Sequence, residues 1–271
     1  MPAVAGRLPY LFDMKTINRI PQRPLFNRTA PLPRVPKLVL HVSDIHGNLS
    51  WLNWLAEQSC GYDLLIGSGD LLDLRGNDES KQIAVVAEFL RKIGVRLALC
   101  SGNHDFADDD DPGSPPQWMT ALSSGSRWTD GEVFPFCGRI IRCIGWNEPI
   151  PAATDPDEFW VMHAPPSGCS TAISLGGACF GDAELGSLCR SGYGPRILFS
   201  GHVHEPRAFF CTVGHTLSLN PGFSECACVP NHIVVDFQEG VARHHSFDRR
   251  GRERISTVPL EGKPASPNGC T

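Results

Sequence analysis

Short apolar runs alternate with amphipathic segments along this chain. Residues 37–43, 62–67 and 95–100 have the length and composition of buried strands. The segments 48–59 and 79–93 carry apolar residues at helical spacing. This order predicts successive strand-helix units with parallel strands, which is typical of α/β folds.

The first predicted helix has a capped start and a stripe of leucines. Asn48 stands where an N-cap is expected, and Leu49, Leu52 and Leu55 follow at intervals of three. We expect these leucines to face the core. The two tryptophans of the same segment are expected to pack against the sheet rather than to form a ligand platform.

Later apolar runs predict more strands. Residues 159–162 and 197–200 are short apolar strands, and residues 131–136 and 139–144 have the pattern of a hairpin. Apolar runs and turns alternate over residues 207–247, which predicts the antiparallel strands of a second sheet.

The composition is that of a chain with a substantial core. It has 271 residues, of which 41% are hydrophobic and 20% charged, and this fits one large domain. Residues 1–36 contain seven prolines and no sustained period, which predicts a loosely ordered arm. Residues 249–271 are polar and predict a tail, so the expected folded domain is 37–248.

Charge and hydropathy exclude several classes of partner. The net charge of -5 gives no overall basic field for a nucleic-acid backbone, so nucleic acid is not an expected partner. No apolar run approaches the roughly 20 residues that cross a bilayer, and no signal-peptide region is evident, so we expect a cytosolic protein without a membrane partner. Cys100 and Cys143 lie in apolar strands and are expected to be reduced and buried.

Metal-capable side chains follow each of the first three predicted strands. The three segments are Asp44-Ile45-His46, Gly69-Asp70 with Asp73, and Gly102-Asn103-His104-Asp105. In open α/β sheets the carboxyl ends of the strands border the ligand crevice. A carboxylate and an imidazole two residues apart on a turn can converge on one divalent metal ion. A single strand-end Asp or His is more often a cap, so the inference depends on the repetition.

Two later segments extend the pattern. The fourth predicted strand ends in His163, and the fifth ends in Gly201-His202-Val203-His204. In this order the five segments resemble the signature of the calcineurin-like metallophosphoesterase superfamily. The segments His163-Ala164-Pro165-Pro166 and Asn220-Pro221-Gly222 resemble its small single-domain phosphoesterases. The resemblance implies an α/β fold, a four-layer sandwich of two mixed β-sheets flanked by helices.

The resemblance also implies a dinuclear site. Asp70 would bridge two metal ions, with Asp44, His46 and His204 on one ion and Asn103, His163 and His202 on the other. This ligand set lacks thiolates and favours Mn, Fe, Zn, Co or Ni over a structural zinc site. Two such cations can clamp a phosphate, polarise phosphorus and supply hydroxide near neutral pH.

His104 matches the family's histidine that is not a ligand. It would stabilise the phosphoryl charge or protonate the leaving oxygen, with Asp73 or Asp105 orienting its ring. Because Leu74 separates Asp73 from Arg75, the usual arginine of the motif has no counterpart, and Arg75 is not assigned to phosphate binding.

The predicted function is hydrolysis of a phosphate ester by hydroxide attack on phosphorus. A small phosphodiester is the expected substrate, because Asp108 to Asp111 form an acidic loop that would penalise a dianionic monoester if it overhung the pocket. The Gly-rich stretch between His163 and Gly181 is expected to border that pocket. The alternatives are a non-catalytic interaction scaffold with the same fold and a nuclease of the same superfamily. Ordinary buried or capping histidines at the strand ends are the structural alternative.

Overall fold

The computed structural model describes residues 38–73, 78–108, 110–111 and 113–261. Within these residues two mixed sheets face each other, and helices cover their outer surfaces. The predicted four-layer α/β sandwich is therefore confirmed. The predicted arm, residues 1–36, lies outside the described residues.

The first sheet contains seven strands among the described residues. In spatial order they are β13 (Glu253–Pro259), β12 (Val241–Phe247), β11 (His232–Asp236), β1 (Leu38–Val42), β2 (Leu64–Ser68), β3 (Arg96–Cys100) and β4 (Arg127–Trp128). Strands β1 to β4 run parallel, and β11 joins β1 in antiparallel register.

The second sheet contains six strands among the described residues. In spatial order they are β5 (Val133–Phe136), β6 (Arg139–Ile144), β7 (Phe159–Met162), β8 (Ile197–Phe199), β10 (Thr216–Leu219) and β9 (Phe210–Val213). The predicted hairpin is confirmed as the antiparallel pair β5 and β6, while β6, β7, β8 and β10 are parallel.

Helices cover the outer face of each sheet. Three of them, α1 (Leu49–Gln58), α2 (Glu79–Lys92) and α3 (Gln117–Thr120), pack on the first sheet, and α4 (Ala183–Arg190) packs on the second. Asn48 caps α1 as predicted, because its side chain accepts hydrogen bonds from two backbone N–H groups of the first turn.

The central strands β1, β2 and β3 of the first sheet are buried on both faces. In β2, Leu64 and Ile66 face the core between the sheets, whereas Leu65 faces the helix layer. This explains why these strands appear in the sequence as continuous apolar runs instead of alternating ones. Cys100 and Cys143 lie in the same central core as free, buried thiols, as expected.

One part of the α1 prediction is wrong. Leu52 and Leu55 are buried with Trp51, but Leu49 is 52% exposed. At 3.6 residues per turn, each step of three residues falls short of a full turn by roughly 60°, so three leucines at this spacing cannot share one narrow face, and Leu49, the first of the series, lies off the buried face. Trp51 packs in the core as expected.

Two predictions about the chain after residue 206 need correction. Strands β9 and β10 join the second sheet, but β10 is parallel to β8, and β11 and β12 cross to the first sheet. An apolar pattern specifies which face of a strand is buried, but not which sheet the strand joins.

The predicted tail, 249–271, is in part structured. Residues Glu253–Pro259 form β13, which pairs along its whole length with β12. Its polar composition is explained by its position at the sheet edge, where most of its side chains are exposed. In the described residues no helix combines the length and the apolar character that crossing a bilayer requires.

Candidate metal centre

All five signature segments follow the carboxyl ends of parallel strands. The first three follow β1, β2 and β3 of the first sheet, and the other two follow β7 and β8 of the second. The two sheets thus bring polar loops from opposite sides of the central core to one edge of the sandwich.

Six of the predicted ligands form two clusters. Asp44, His46 and His204 form the first, and Asp70, His163 and His202 form the second; within each cluster one ligand atom of every residue lies within 4.8 Å of the others. Asp70 Oδ2 lies 3.2 Å from His163 Nε2 in its own cluster. The same oxygen lies 3.9 Å from His46 Nε2, so Asp70 is also close to the first cluster. The two clusters therefore adjoin at this carboxylate.

Backbone hydrogen bonds join the loops that carry these residues. The N–H groups of Asp44 and His46 donate to the carbonyls of Gly69 and Asp70 at 3.1 and 2.9 Å. The N–H of His202 donates to Asp44 Oδ2 at 3.1 Å, which connects the two sheets. The side chains are thus held by rigid strand ends rather than by free loops.

Four of these residues have an uncommon backbone conformation. Asp44, His46, Asp70 and His202 have φ values of 55°, 48°, 51° and 67°, in the left-handed region that residues other than glycine rarely occupy. Such strain persists only where the surroundings enforce it, and it concentrates at functional sites.

The glycines before the second and third motifs are needed for close packing. A Cβ atom on Gly69 would overlap the His163 ring, and one on Gly102 would overlap the Asp70 carboxylate. The absence of a side chain at Gly69 and Gly102 therefore leaves the space that His163 and Asp70 occupy.

Two buried atoms support cation binding at this position. Within the described residues, Asp44 Oδ1 and His163 Nε2 are buried without a hydrogen bond, although each has a charged neighbour, His204 Nε2 at 3.3 Å and Asp70 Oδ2 at 3.2 Å. The opposite nitrogen of His163, Nδ1, lies 2.7 Å from the carbonyl oxygen of Ser68, and a hydrogen bond donated there leaves Nε2 of the neutral ring as an acceptor that can bind a metal ion. Buried polar groups rarely remain unpaired, and a divalent cation in each cluster would satisfy one of these two atoms. The residues present therefore fit a metal ion.

The electrostatics of the clusters are dominated by their carboxylates. Burial opposes ionisation of Asp70, but the neighbouring His163 outweighs it and lowers the pKa of Asp70 below its ordinary value. Burial also opposes protonation of His163, yet Asp70 and Asp44 together raise its pKa to about 9. Burial and the charge of His163 lower the pKa of His202 to about 4. Ionised carboxylates among imidazoles attract protons and metal cations alike.

His104 lies beside the clusters rather than within them. Its ring is 5.2 Å from the ring of His46, and its backbone N–H donates to Asp70 Oδ1 at 2.9 Å. Asp73 Oδ1 is 3.9 Å from His104 Nδ1, which leaves Asp73 as the residue that can orient this ring.

Asp105, the other candidate, has a different role. It is fully buried and accepts hydrogen bonds from the backbone N–H groups of Leu72 and Gly102 at 2.9 and 2.8 Å. Burial, followed by the charge of Asp70, raises the pKa of Asp105 to about 8. Its carboxyl group therefore holds the second and third motif loops together.

A cleft of about 640 Å³ opens over the clusters. Five of the predicted site residues line this cleft: Asp70, Asn103, His104, His202 and His204. The other four do not line it. Asp44, His46 and His163 belong to the two clusters, and Asp73 lies near the His104 ring. The Gly-rich stretch borders the cleft as expected, through Ser174, Gly176 and Phe180.

Three residues of the cleft were not expected from the sequence: Glu205, Phe223 and Glu225. Phe223 directly follows the Asn220-Pro221-Gly222 segment, and Glu205 directly follows His204, so proximity to a motif was the available signal. The acidic loop, in contrast, does not line the cleft in its described part. Asp110 accepts from the N–H groups of Ala107 and Gln117, which makes it a loop-capping residue.

Solved structures share this architecture. The chain is similar to a dimetal phosphatase from Danio rerio, with 10% identity, a TM-score of 0.56 and coverage of 84% of this chain and 99% of that one. It is also similar to the protein TT1561 of Thermus thermophilus, with 14% identity, a TM-score of 0.50 and coverage of 84% and 100%. At these identities the likeness shows the fold alone. No curated protein sequence matches the chain.

Fold and motif order together define the metallophosphoesterase class of α/β sandwich. The chain belongs to the calcineurin-like phosphoesterase family, whose sequence profile matches residues 37–206. The resemblance inferred from the five segments is therefore confirmed.

Proposed function

We propose that this protein is a dinuclear-metal-dependent hydrolase of phosphate esters that acts on small phosphodiesters. The observation that carries the proposal is the pair of adjoining clusters, Asp44/His46/His204 and Asp70/His163/His202, at the strand ends of a phosphoesterase fold. In this assignment Asp70 is the shared carboxylate, which is supported by its short distances to both His163 and His46. Asn103 completes the second cluster from the wall of the cleft.

The donor set of carboxylates, imidazoles and one amide suits Mn, Fe, Zn, Co or Ni. When bound, two such cations supply Lewis-acid activation of the phosphoryl group and of water. The chain itself positions the ester over the clusters. His104 faces the same cleft, where its ring can stabilise charge on a phosphoryl oxygen or donate a proton to the leaving oxygen as the P–O bond breaks.

The diester preference rests on the charge of the cleft. Its lining includes Glu205 and Glu225, and among the described residues no Lys or Arg lines it. A diester carries one negative charge and a monoester nearly two at neutral pH. A cleft with carboxylates and no basic side chain disfavours the dianion. The source of the preference is thus the cleft wall instead of the loop of Asp108 to Asp111.

The test combines metal analysis with turnover. Purified protein is expected to bind two transition-metal ions per chain and to hydrolyse bis(p-nitrophenyl) phosphate with a higher kcat/KM than p-nitrophenyl phosphate. Reconstitution with Mn, Fe, Zn, Co and Ni in separate reactions identifies the productive metal. A protein that binds metal but turns over neither ester would instead support the non-catalytic scaffold.

A further inference from the structure

Two exposed aromatic rings flank the metal-capable clusters. The Phe223 ring stacks on the His204 ring at a centroid distance of 4.9 Å, and the Phe180 ring lies 6.4 Å from the His202 ring. Phe223 is 39% exposed and Phe180 is 52% exposed. Exposed apolar side chains that share one site often mark the place where a ligand binds and covers them. The Phe223 ring also contacts the Trp51 ring at 4.9 Å, so it is partly covered, and both side chains present the exposed part of their rings to whatever occupies the cleft.

Two carboxylates line the same cleft as these rings. Glu205 lines the cleft, and its side chain forms no hydrogen bond or ion pair with the other described residues. Glu225 also lines the cleft but lies 3.5 Å from Arg249, which offsets part of its charge. Glu205 is thus the carboxylate whose charge is least compensated. It adjoins His204 in the chain and so lies at the edge of the first cluster.

Partly exposed aromatic rings that share a cleft with an uncompensated carboxylate match the chemistry of an organic cation. A quaternary ammonium group is attracted by ring faces within about 6 Å and by a nearby negative charge. An anionic or strongly acidic substituent would meet Glu205 unfavourably. A neutral apolar group would cover the rings but leave the carboxylate without a partner.

We infer that the cleft selects phosphodiesters whose second alcohol carries an ammonium group, with Glu205, Phe180 and Phe223 forming the subsite for that cation. This inference rests on the proposed phosphodiesterase function. The phosphate of such a substrate lies over the clusters, and the ammonium group lies against the rings. Such a substrate has a net charge near zero, which also removes the repulsion that a dianion meets in this cleft.

The test uses two diesters with one leaving group and one shape. One is p-nitrophenyl phosphorylcholine, and the other is its isostere in which carbon replaces the quaternary nitrogen. The choline ester is expected to have a kcat/KM about tenfold higher, from the combined cation–π and charge contributions of an exposed site. Glu205→Gln is expected to reduce this ratio about threefold, and Phe180→Leu, which keeps the apolar contact without the ring, about twofold.

The matched control is Glu57→Gln, an exposed glutamate on α1 that does not line the cleft. It should leave the ratio at the wild-type value. Dissociation constants of the two corresponding phosphonates, in which a methylene group replaces the scissile oxygen, should rank them in the same order when measured by calorimetry on metal-loaded protein, and this readout does not depend on turnover.

The possible failures are distinguishable. Equal kcat/KM for both esters, or a ratio that Glu205→Gln does not change, overturns the ammonium subsite and leaves the phosphodiesterase function standing. Turnover of neither of these esters nor of bis(p-nitrophenyl) phosphate with any of the five metals overturns the proposed function, whereas the calorimetric ranking then still supports or overturns the subsite.

Discussion

Asp70 and His104 are joined by a hydrogen bond in which the His104 backbone N–H donates to Asp70 Oδ1 at 2.9 Å. The other oxygen of the same carboxylate, Oδ2, lies 3.2 Å from His163 Nε2. Asp70 therefore has two separable functions, because one oxygen positions the third motif loop and the other faces the metal-capable clusters.

The first prediction separates these functions with Asp70→Asn. The amide oxygen can still accept from His104, so the fold should be preserved, while loss of the shared negative charge should remove most of the bound metal and nearly all activity. Metal content by plasma emission and unfolding by circular dichroism check both parts. Retention of two metal ions per chain would contradict the role of Asp70 as the shared carboxylate.

The second prediction concerns His104. His104→Ala should keep the metal content and lower kcat by about 10²-fold or more, because the imidazole acts on the transition state rather than on the metal. If the ring donates a proton, the loss should be greater for esters with poor leaving groups than for p-nitrophenyl esters. An unchanged kcat would show that another residue performs this step.

The third prediction concerns the buried carboxyl group of Asp105. Asp105→Ala leaves the N–H groups of Leu72 and Gly102 without their acceptor in a buried region, which should lower the free energy of unfolding by roughly 2–4 kcal/mol. Asp105→Asn keeps one acceptor oxygen and should lose less. Urea denaturation of both variants tests this order, and equal stability of Asp105→Ala and wild type would contradict it.

Much of this fold follows from local patterns, and the rest depends on contacts between distant residues. The strands β1, β2 and β3 and the two clusters could be predicted, because a continuous apolar run followed by a metal-capable side chain is a local signal. The placement of β11 in the first sheet could not be predicted, because an apolar strand pattern is compatible with either sheet.

The Gly-rich part of the cleft wall could be predicted, but the pairing of two aromatic rings across the clusters could not, for a related reason. Phe180 and Phe223 are separated by more than forty residues of sequence, and only the folded loops bring them over His202 and His204. The sequence also does not distinguish Asp105 from Asp73. Asp105 accepts backbone hydrogen bonds, whereas Asp73 lies near the His104 ring. Both are acidic residues close to a motif, and burial alone separates them.

The fourth prediction concerns acid stability and a buried histidine that belongs to neither metal-capable cluster. His232 is buried and stacks between Trp54 and His245 at 4.8 and 4.7 Å. Burial lowers its pKa to about 4, whereas in the unfolded chain it titrates near 6.5. Between these values the unfolded state binds more protons, so stability should fall as the pH falls from about 6.5 to about 4.

His232→Phe keeps the stacked ring and removes this titration. In the presence of a chelator, the loss of unfolding free energy between pH 7 and pH 4.5 should be smaller in the variant, by on the order of 2 kcal/mol. The measurement is urea denaturation at both pH values. If the wild-type loss persists in the variant, His232 does not contribute to acid sensitivity.

The last prediction concerns which carboxylate causes the preference for diesters over monoesters. Glu205 lines the cleft, whereas Asp110 and Asp111 use their carboxylates in hydrogen bonds within their own loop, and charges beyond about 8–10 Å are largely screened at physiological salt. Glu205→Gln should therefore reduce the preference for bis(p-nitrophenyl) phosphate over p-nitrophenyl phosphate about threefold. The matched variant Asp108→Asn removes an exposed charge of the same sign outside the cleft lining and should leave the preference at its wild-type value.

Both ratios are measured as kcat/KM at two ionic strengths, and the effect of Glu205→Gln should weaken as salt is raised. A preference that responds to Asp108→Asn but not to Glu205→Gln would return the charge effect to the acidic loop.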